Sequence, residues 1–317
     1  MAAVTERAVD AGAAGIGATL DAAIGDTPLV PIQRIASPRG ARVYAKLESQ
    51  NPGGSVKARA ALAILQAAER AGQLGPGRTL LDASSGNTGI AYAMLCAERG
   101  YSCEICLPAN ASEERVKLLR AYGASLVITP AVDGSDGAIR EARRRAGEHP
   151  DRYFYADQYN NAANVQAHYD GTGVEIWRQT RGRVTHFVAG LGTSGTFVGT
   201  GRRLRQYQPD IVLIAVQPAS AFHGIEGLKH MPSAIVPGIW DPALPDGIVE
   251  VETEESQQMA RRLAREEGLL AGVSGGAAIV AALRIAASLD DRAVLVTVLP
   301  DGGERYLSEP WIAPRAV

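Results

Sequence analysis

One lysine stands at the end of a glycine-rich turn, at the point where the sequence predicts that a helix begins. Lys57 closes the segment Asn51-Pro52-Gly53-Gly54-Ser55-Val56-Lys57, which follows a strand-like run at 42–47. Ser55 is the predicted N-cap. In the first turn of a helix the dipole favours a neutral amine, and a neutral lysine amine forms Schiff bases. Lys57 is therefore the first candidate catalytic group, although the segment alone also fits a solvated lysine after a loop.

Two further loops combine glycines with hydroxyls where a strand gives way to a helix. After the strand at 79–83 come Ser84, Ser85, Gly86, Asn87 and Thr88, and after the strand at 185–190 come Gly192, Thr193, Ser194, Gly195 and Thr196. Glycines let the backbone approach a ligand closely, and a helix start offers unpaired N–H groups. Both loops predict anion sites, and the second suits a phosphate.

The second loop also matches the G-x-G-x-x-G spacing of dinucleotide-binding sites, from Gly190 to Gly195. Such a site requires an acidic residue about 20 positions on, at the end of the next strand. Here that strand ends in Gln217-Pro218, and Asp210 precedes it. A nicotinamide-dependent oxidoreductase is the alternative from a different class.

Strand and helix signals alternate along the chain, which predicts an α/β fold of mostly parallel, twisted sheets with helices on both faces. One helix is predicted from Ser112 to Gly123 and another from Thr253 to Gly268. Buried strands are predicted at 42–47, 79–83, 102–107, 125–129, 185–190, 211–217 and 293–299.

Taken together, the motifs resemble the cysteine synthase family of pyridoxal-phosphate enzymes, and most closely its B-type O-acetylserine sulfhydrylases. The resemblance covers about 20–307. Its motifs, in chain order, are Gly25-Asp26-Thr27-Pro28-Leu29-Val30, the Lys57 segment, Ser85-Gly86-Asn87-Thr88-Gly89, Gln158-Tyr159-Asn160-Asn161-Ala162-Ala163-Asn164, Gly192-Thr193-Ser194-Gly195-Thr196, Gly272-Val273-Ser274-Gly275-Gly276-Ala277 and Asp301-Gly302-Gly303-Glu304-Arg305-Tyr306.

The resemblance implies fold type II, the tryptophan synthase β-like architecture. It implies a larger cofactor-binding domain, 20–48 plus 165–317, and a smaller mobile domain, 49–164. Residues 1–19 are rich in Ala and Gly, and this composition predicts a loose N-terminal tail.

The resemblance also implies a role for each site residue. Lys57 binds pyridoxal 5′-phosphate covalently and then moves the substrate's α proton. Asn87 hydrogen-bonds the ring hydroxyl, and the neutral hydroxyl of Ser274 faces the ring nitrogen. The cofactor phosphate is held by Gly192, Thr193, Ser194, Gly195 and Thr196. The substrate carboxylate is bound by Ser84, Ser85, Asn87, Thr88 and Gln158.

The implied reaction replaces the acetoxy group of O-acetyl-L-serine with sulfide, through an α-aminoacrylate, to give L-cysteine. Ala219 follows Gln217-Pro218 where relatives that use O-phosphoserine carry an arginine, so we expect the acetyl ester as substrate. Lys229 or an arginine from another loop could supply the missing charge, so O-phosphoserine stays open, as do cystathionine or diaminopropionate chemistry and other sulfur donors. Departures from the family pattern occur at Ala58, Ala83, Ala162 and Gly275.

Composition excludes several other classes. The chain has 32 Lys and Arg against 34 Asp and Glu. This net charge of −2 does not indicate the excess of basic residues that binding to nucleic acid or an acidic membrane would need. We expect no membrane span, no signal peptide and a cytoplasmic location. The resemblance also implies a homodimer, whereas association with a serine acetyltransferase stays open. Cys103 and Cys106 have C-x-x-C spacing, but on a strand they face opposite sides, so no metal site is expected.

Overall fold

The computed structural model describes residues 19–37, 40–84 and 86–312. The predicted loose tail falls almost entirely outside the described residues, and so does Ser85. No helix in the described part of the chain is long and apolar enough to span a membrane.

Ten strands form two sheets in the part of the chain that the structure describes. The strands are β1 Leu29–Pro31, β2 Arg42–Leu47, β3 Thr79–Ala83, β4 Ser102–Pro108, β5 Ser125–Thr129, β6 Tyr153–Tyr155, β7 His186–Gly190, β8 Val212–Pro218, β9 Gly247–Val251 and β10 Val294–Leu299. One sheet has the order β1-β2-β10-β7-β8-β9 and is parallel except for β1, which pairs antiparallel with β2. The other has the order β5-β4-β3-β6 and is wholly parallel.

Nine α-helices connect the strands within the described residues. They are α1 Lys57–Arg70, α2 Asn87–Arg99, α3 Glu113–Ala121, α4 Gly134–Glu148, α5 Ala162–Ala167, α6 Gly173–Gln179, α7 Gly195–Tyr207, α8 Thr253–Arg262 and α9 Val273–Ala286. A π-helical turn, His168–Thr172, joins α5 to α6, and another, Leu263–Glu267, extends α8 to Gly268.

Side-chain alternation along the strands buries both faces of each sheet. On β7, Val188 packs towards α8 and α9, whereas Phe187 and Ala189 pack towards α6 and α7. On β4, Cys103 packs towards α1 and α2, whereas Cys106 packs towards α4. Sheets covered on two sides explain why the strands read as nearly continuous apolar runs. The predicted α/β fold is confirmed, and all three cysteines are free and buried.

The predicted strands lie within one residue of the observed ones. Three strands were not predicted. β1 and β6 are only three residues long, and β9 is an edge strand of mixed burial.

The four-stranded sheet falls within 49–164 and the six-stranded sheet within 20–48 and 165–317. The helix α5 crosses the predicted boundary and packs against both α1 and α7. The division into a fixed and a mobile domain stays a prediction.

Candidate active site

A cleft between the two sheets brings the candidate residues together. It encloses about 970 Å³, including its open mouth. Its walls come from the loops after β3, β6, β7, β8 and β10, from the first turns of α1, α2, α4 and α9, and from α3. Parallel strands place such loops at the same edge of a sheet, which is where ligands bind in open α/β folds. Of the predicted site residues, the following line the cleft: Lys57, Ser84, Asn87, Thr88, Gln158, Gly192, Thr193, Ser194, Thr196 and Ser274.

Lys57 is the first residue of α1. Gly53 and Gly54 have φ angles of 74° and 70°, a backbone conformation that glycine adopts without steric cost. Val56 directly precedes the helix and makes no capping hydrogen bond, whereas Ser55 Oγ accepts a long 3.4 Å hydrogen bond from the Lys57 N–H, so the predicted Ser55 cap is present one residue earlier. The Ser55 backbone also forms an antiparallel bridge with Asp301, which connects the lysine turn to the end of β10. Burial lowers the pKa of Lys57, while the charges of Asp301 and Glu48 act in the opposite direction.

The loop between β7 and α7 forms a tight cradle. Side chains at Gly192 or Gly195 would collide with the Gly227 carbonyl and with Asn164, respectively. Ser194 has a φ of 73° and lies immediately before α7. Its buried hydroxyl has no hydrogen-bond partner among the described residues. A close-packed backbone, a helix start and an orphaned donor fit a phosphate group.

Asn87 is the first residue of α2, and two neighbours hold its amide. Its Nδ2 donates to Asp301 Oδ2 at 2.7 Å, and its Oδ1 accepts from Arg305 at 2.7 Å. These partners fix which end of the amide is nitrogen and leave one N–H free for a ligand. Across the cleft, Ser274 lies in the first turn of α9.

The loop after β3 is partly committed to internal hydrogen bonds. Ser84 Oγ accepts from the backbone N–H groups of Gly86 at 3.1 Å and Gly89 at 2.9 Å, so it caps α2. Thr88 donates to Gln158 Oε1 at 2.6 Å, and Gln158 Nε2 donates to the Ala83 carbonyl at 2.6 Å. The predicted carboxylate contacts are thus adjacent, except for Ser85, which lies outside the described residues.

Sequence reasoning missed several groups at the site. Asp301, Arg305 and Tyr306 belong to a motif that carried the resemblance, yet no role was assigned to them. Tyr306 donates to Asp301 Oδ2 at 2.8 Å. Arg115, which was not singled out, pairs with Glu226, and Lys229, considered from the sequence only as a substitute for the missing arginine, pairs with Asp136 at 2.8 Å. The partners are 111 residues apart in the first pair and 93 in the second, so no local sequence pattern predicts either ion pair.

No group of three or more potential metal ligands occurs among the described His, Cys, Asp and Glu residues. Gln217, the penultimate residue of β8, donates through Nε2 to Glu250 Oε1 at 3.0 Å.

The fold and the site define a fold type II pyridoxal-phosphate-dependent enzyme. A family model described as "Pyridoxal-phosphate dependent enzyme" matches residues 20–301. The chain is 50% identical to a cysteine synthase of Aquifex aeolicus over 291 residues, which cover 90% of this chain and 89% of that protein. It is 42% identical to cysteine synthase B of Escherichia coli over 290 residues, 92% of this chain and 94% of that one.

Among solved structures, an O-ureido-L-serine synthase matches with a TM-score of 0.88 at 40% identity, covering 94% of this chain and 95% of that chain. The chain belongs to the cysteine synthase family of pyridoxal-phosphate-dependent enzymes. This membership removes the nicotinamide alternative that the glycine spacing had raised.

Proposed function

We propose that the protein synthesises L-cysteine by replacing the acetoxy group of O-acetyl-L-serine with sulfide. One observation carries this proposal. Lys57, Asn87, Ser274 and four of the five cradle residues, Gly192, Thr193, Ser194 and Thr196, line one cleft in a chain that is 50% identical to a cysteine synthase.

Pyridoxal phosphate bound here would withdraw electrons from the substrate's α carbon. The residues of the chain do the rest. Lys57 would hold the cofactor and then act as the base at the α carbon, a role that suits an amine whose pKa is lowered by burial. The loop at 192–196 would hold the phosphate. The free N–H of Asn87 would donate to the ring oxygen, and the neutral Ser274 hydroxyl would face the ring nitrogen without protonating it.

The start of α2 would bind the substrate carboxylate. Ser84 already accepts two backbone hydrogen bonds, so its own proton is free to be donated. Thr88 and Gln158 lie beside it, and Ser85 adds a hydroxyl by sequence. We propose that carboxylate binding draws the 49–164 unit onto the cleft and excludes water from the reaction. We also propose a homodimer in the cytoplasm, on the family resemblance.

Charge favours the acetyl ester over O-phosphoserine. Apart from Lys57, the cations on the described wall of the cleft are Arg115 and Lys229. Both are buried and each is paired with a carboxylate, Glu226 and Asp136. A phosphate dianion therefore finds no unpaired cation, and burying it would cost on the order of several kcal/mol.

The test compares kcat/KM for O-acetylserine and O-phosphoserine with sulfide at one pH. We expect a preference for O-acetylserine of at least about tenfold, which corresponds to about 1.4 kcal/mol. A tenfold preference for O-phosphoserine would show that the charge argument is wrong.

A further inference from the structure

Two buried side chains behind the phosphate cradle contact its two threonines. Asn164 lies in α5, and His168 begins the π-helical turn that follows. Both are 1% exposed. They are four residues apart, a spacing that places side chains on one face of a helix. Neither was assigned a role from the sequence.

The hydrogen bonds of Asn164 determine that the Thr193 hydroxyl accepts, rather than donates, in its contact with Asn164. Asn164 Nδ2 donates to the Gln158 carbonyl at 2.9 Å and to Thr193 Oγ1 at 3.0 Å. Because a carbonyl oxygen can only accept, the atom facing both partners must be the amide nitrogen. Thr193 is therefore the acceptor in this bond. Its own hydroxyl proton is left for another partner.

The hydrogen bonds of His168 determine in the same way that the Thr196 hydroxyl accepts in its contact with His168. His168 Nδ1 lies 2.9 Å from Thr172 Oγ1, and His168 Nε2 lies 3.2 Å from Thr196 Oγ1. Thr172 is fully buried, and Nδ1 is the acceptor available to its hydroxyl among the described residues. A buried hydroxyl donates whenever an acceptor is present.

Burial and the nearby charge of Arg59 lower the pKa of His168 to about 3, so the ring is neutral and carries a single N–H. With Nδ1 accepting from Thr172, that N–H is on Nε2. It donates to Thr196 Oγ1 and leaves the Thr196 proton free.

We propose that Asn164 and His168 are positioning residues that turn the hydroxyls of Thr193 and Thr196 into donors directed at the cofactor phosphate. A phosphate dianion offers only acceptors, so the opposite His168 tautomer would engage the Thr196 proton and present lone pairs to the anion. Both threonines line the cleft, beside the unpartnered hydroxyl of Ser194. This inference rests on the proposed cofactor site.

The test measures binding of pyridoxal 5′-phosphate and of pyridoxal, which lacks the phosphate, to the apoprotein. His168→Asn removes the Nε2 donor. We expect it to raise the dissociation constant of pyridoxal phosphate about tenfold, roughly 1.4 kcal/mol, and to leave that of pyridoxal unchanged. His168→Gln places an amide N–H near the Nε2 position and should restore most of the affinity. In a Thr196→Val background, His168→Asn should have no further effect.

Equal losses for the two ligands, or no loss for either, would overturn the inference while the proposed function stands. A wild-type apoprotein that binds neither ligand would contradict the function and the inference together. In case His168→Asn does not fold, ¹⁵N NMR of the wild-type holoenzyme supplies a second measurement. We expect the His168 proton on Nε2, and a proton on Nδ1 would overturn the inference.

Discussion

Asp301 is the residue that links the candidate base to the amide opposite it. Its Oδ2 accepts from Asn87 and Tyr306, and its backbone bridges to Ser55, two residues before Lys57. Its Oδ1 is buried without a partner among the described residues. Its negative charge raises the pKa of Lys57 against the lowering by burial. Asp301 therefore influences both the orientation of Asn87 and the protonation of Lys57.

Asp301→Asn should move the pH dependence of the Lys57 amine to lower pH. The charge of Asp301 raises the pKa of Lys57, so its removal lowers that pKa and increases the neutral fraction at a given pH. The measurement is the rate at which apoprotein reacts with pyridoxal phosphate as a function of pH. Tyr306→Phe, which removes a hydrogen bond but no charge, serves as the control. A shift to higher pH, or equal shifts in the two variants, would contradict this role.

At the scale of elements, α1 is held in place by buried ion pairs. Arg59, two residues after Lys57, pairs with Glu48 at 2.7 Å and with Glu175 of α6 at 2.6 Å. Lys46 of β2 pairs with Glu175 at 2.6 Å. Burial alone would raise the pKa of Glu175, but Arg59 and Lys46 together hold it at about 2. The cluster fixes the helix that carries the candidate base.

Glu175→Gln should destabilise the fold at neutral pH by about 3–5 kcal/mol, because it leaves Lys46 and Arg59 without their shared carboxylate. Since the pKa of Glu175 is depressed when folded, its stabilisation is present above the unfolded value near 4.5 and is lost as the pH falls towards 2. The variant should therefore lose less stability than the wild type across that window.

Urea unfolding at several pH values measures both effects. Glu266→Gln, which removes an exposed partner of Arg262 on the helix surface, is the matched control and should change stability little. A Glu175→Gln variant as stable as this control would show that the cluster does not hold α1.

Local patterns in the sequence predicted most of the strands and the loops between them, but not the short strands β1 and β6 or the edge strand β9. The apolar runs of β4, β7 and β10 and the glycine turns before α1, α2 and α7 are features of neighbouring residues. The predicted contact of Ser55 with the start of α1 is local, at 3.4 Å from the Lys57 N–H, whereas the backbone bridge from Ser55 to Asp301 is a tertiary contact that no local pattern predicts. The partners of Asn87 lie 214 and 218 residues away in the chain, so their contacts depend on how the two sheets meet.

At the scale of the whole molecule, ion pairs across the cleft connect the four-stranded unit to the six-stranded unit. Arg115 of α3 pairs with Glu226, and Asp136 of α4 pairs with Lys229. Asp136 Oδ2 also accepts from the backbone of Ile235 at 3.0 Å. These contacts join helices of the four-stranded unit to the loop between β8 and β9. They also neutralise the cations at the cleft.

Asp136→Asn should raise the use of O-phosphoserine relative to O-acetylserine, since it leaves the charge of Lys229 unpaired at the cleft wall. We expect the ratio of the two kcat/KM values to move towards O-phosphoserine by about tenfold. Asp241→Asn, which removes the partner of Arg202 on the surface, should leave the ratio unchanged. An unchanged ratio in Asp136→Asn would mean that Lys229 does not reach the leaving group.

The central claim is that Lys57 holds pyridoxal phosphate in this cleft and that O-acetylserine reacts there. The most direct measurement is the visible absorption spectrum of the purified protein with pyridoxal phosphate, before and after O-acetylserine and then sulfide. The account predicts a visible band from the cofactor bonded to Lys57, a change on adding O-acetylserine, and recovery of the band with release of cysteine on adding sulfide. Lys57→Ala should fold but lack the band and nearly all turnover. A band and turnover that persist in Lys57→Ala, or a wild-type spectrum that O-acetylserine leaves unchanged, would contradict the account.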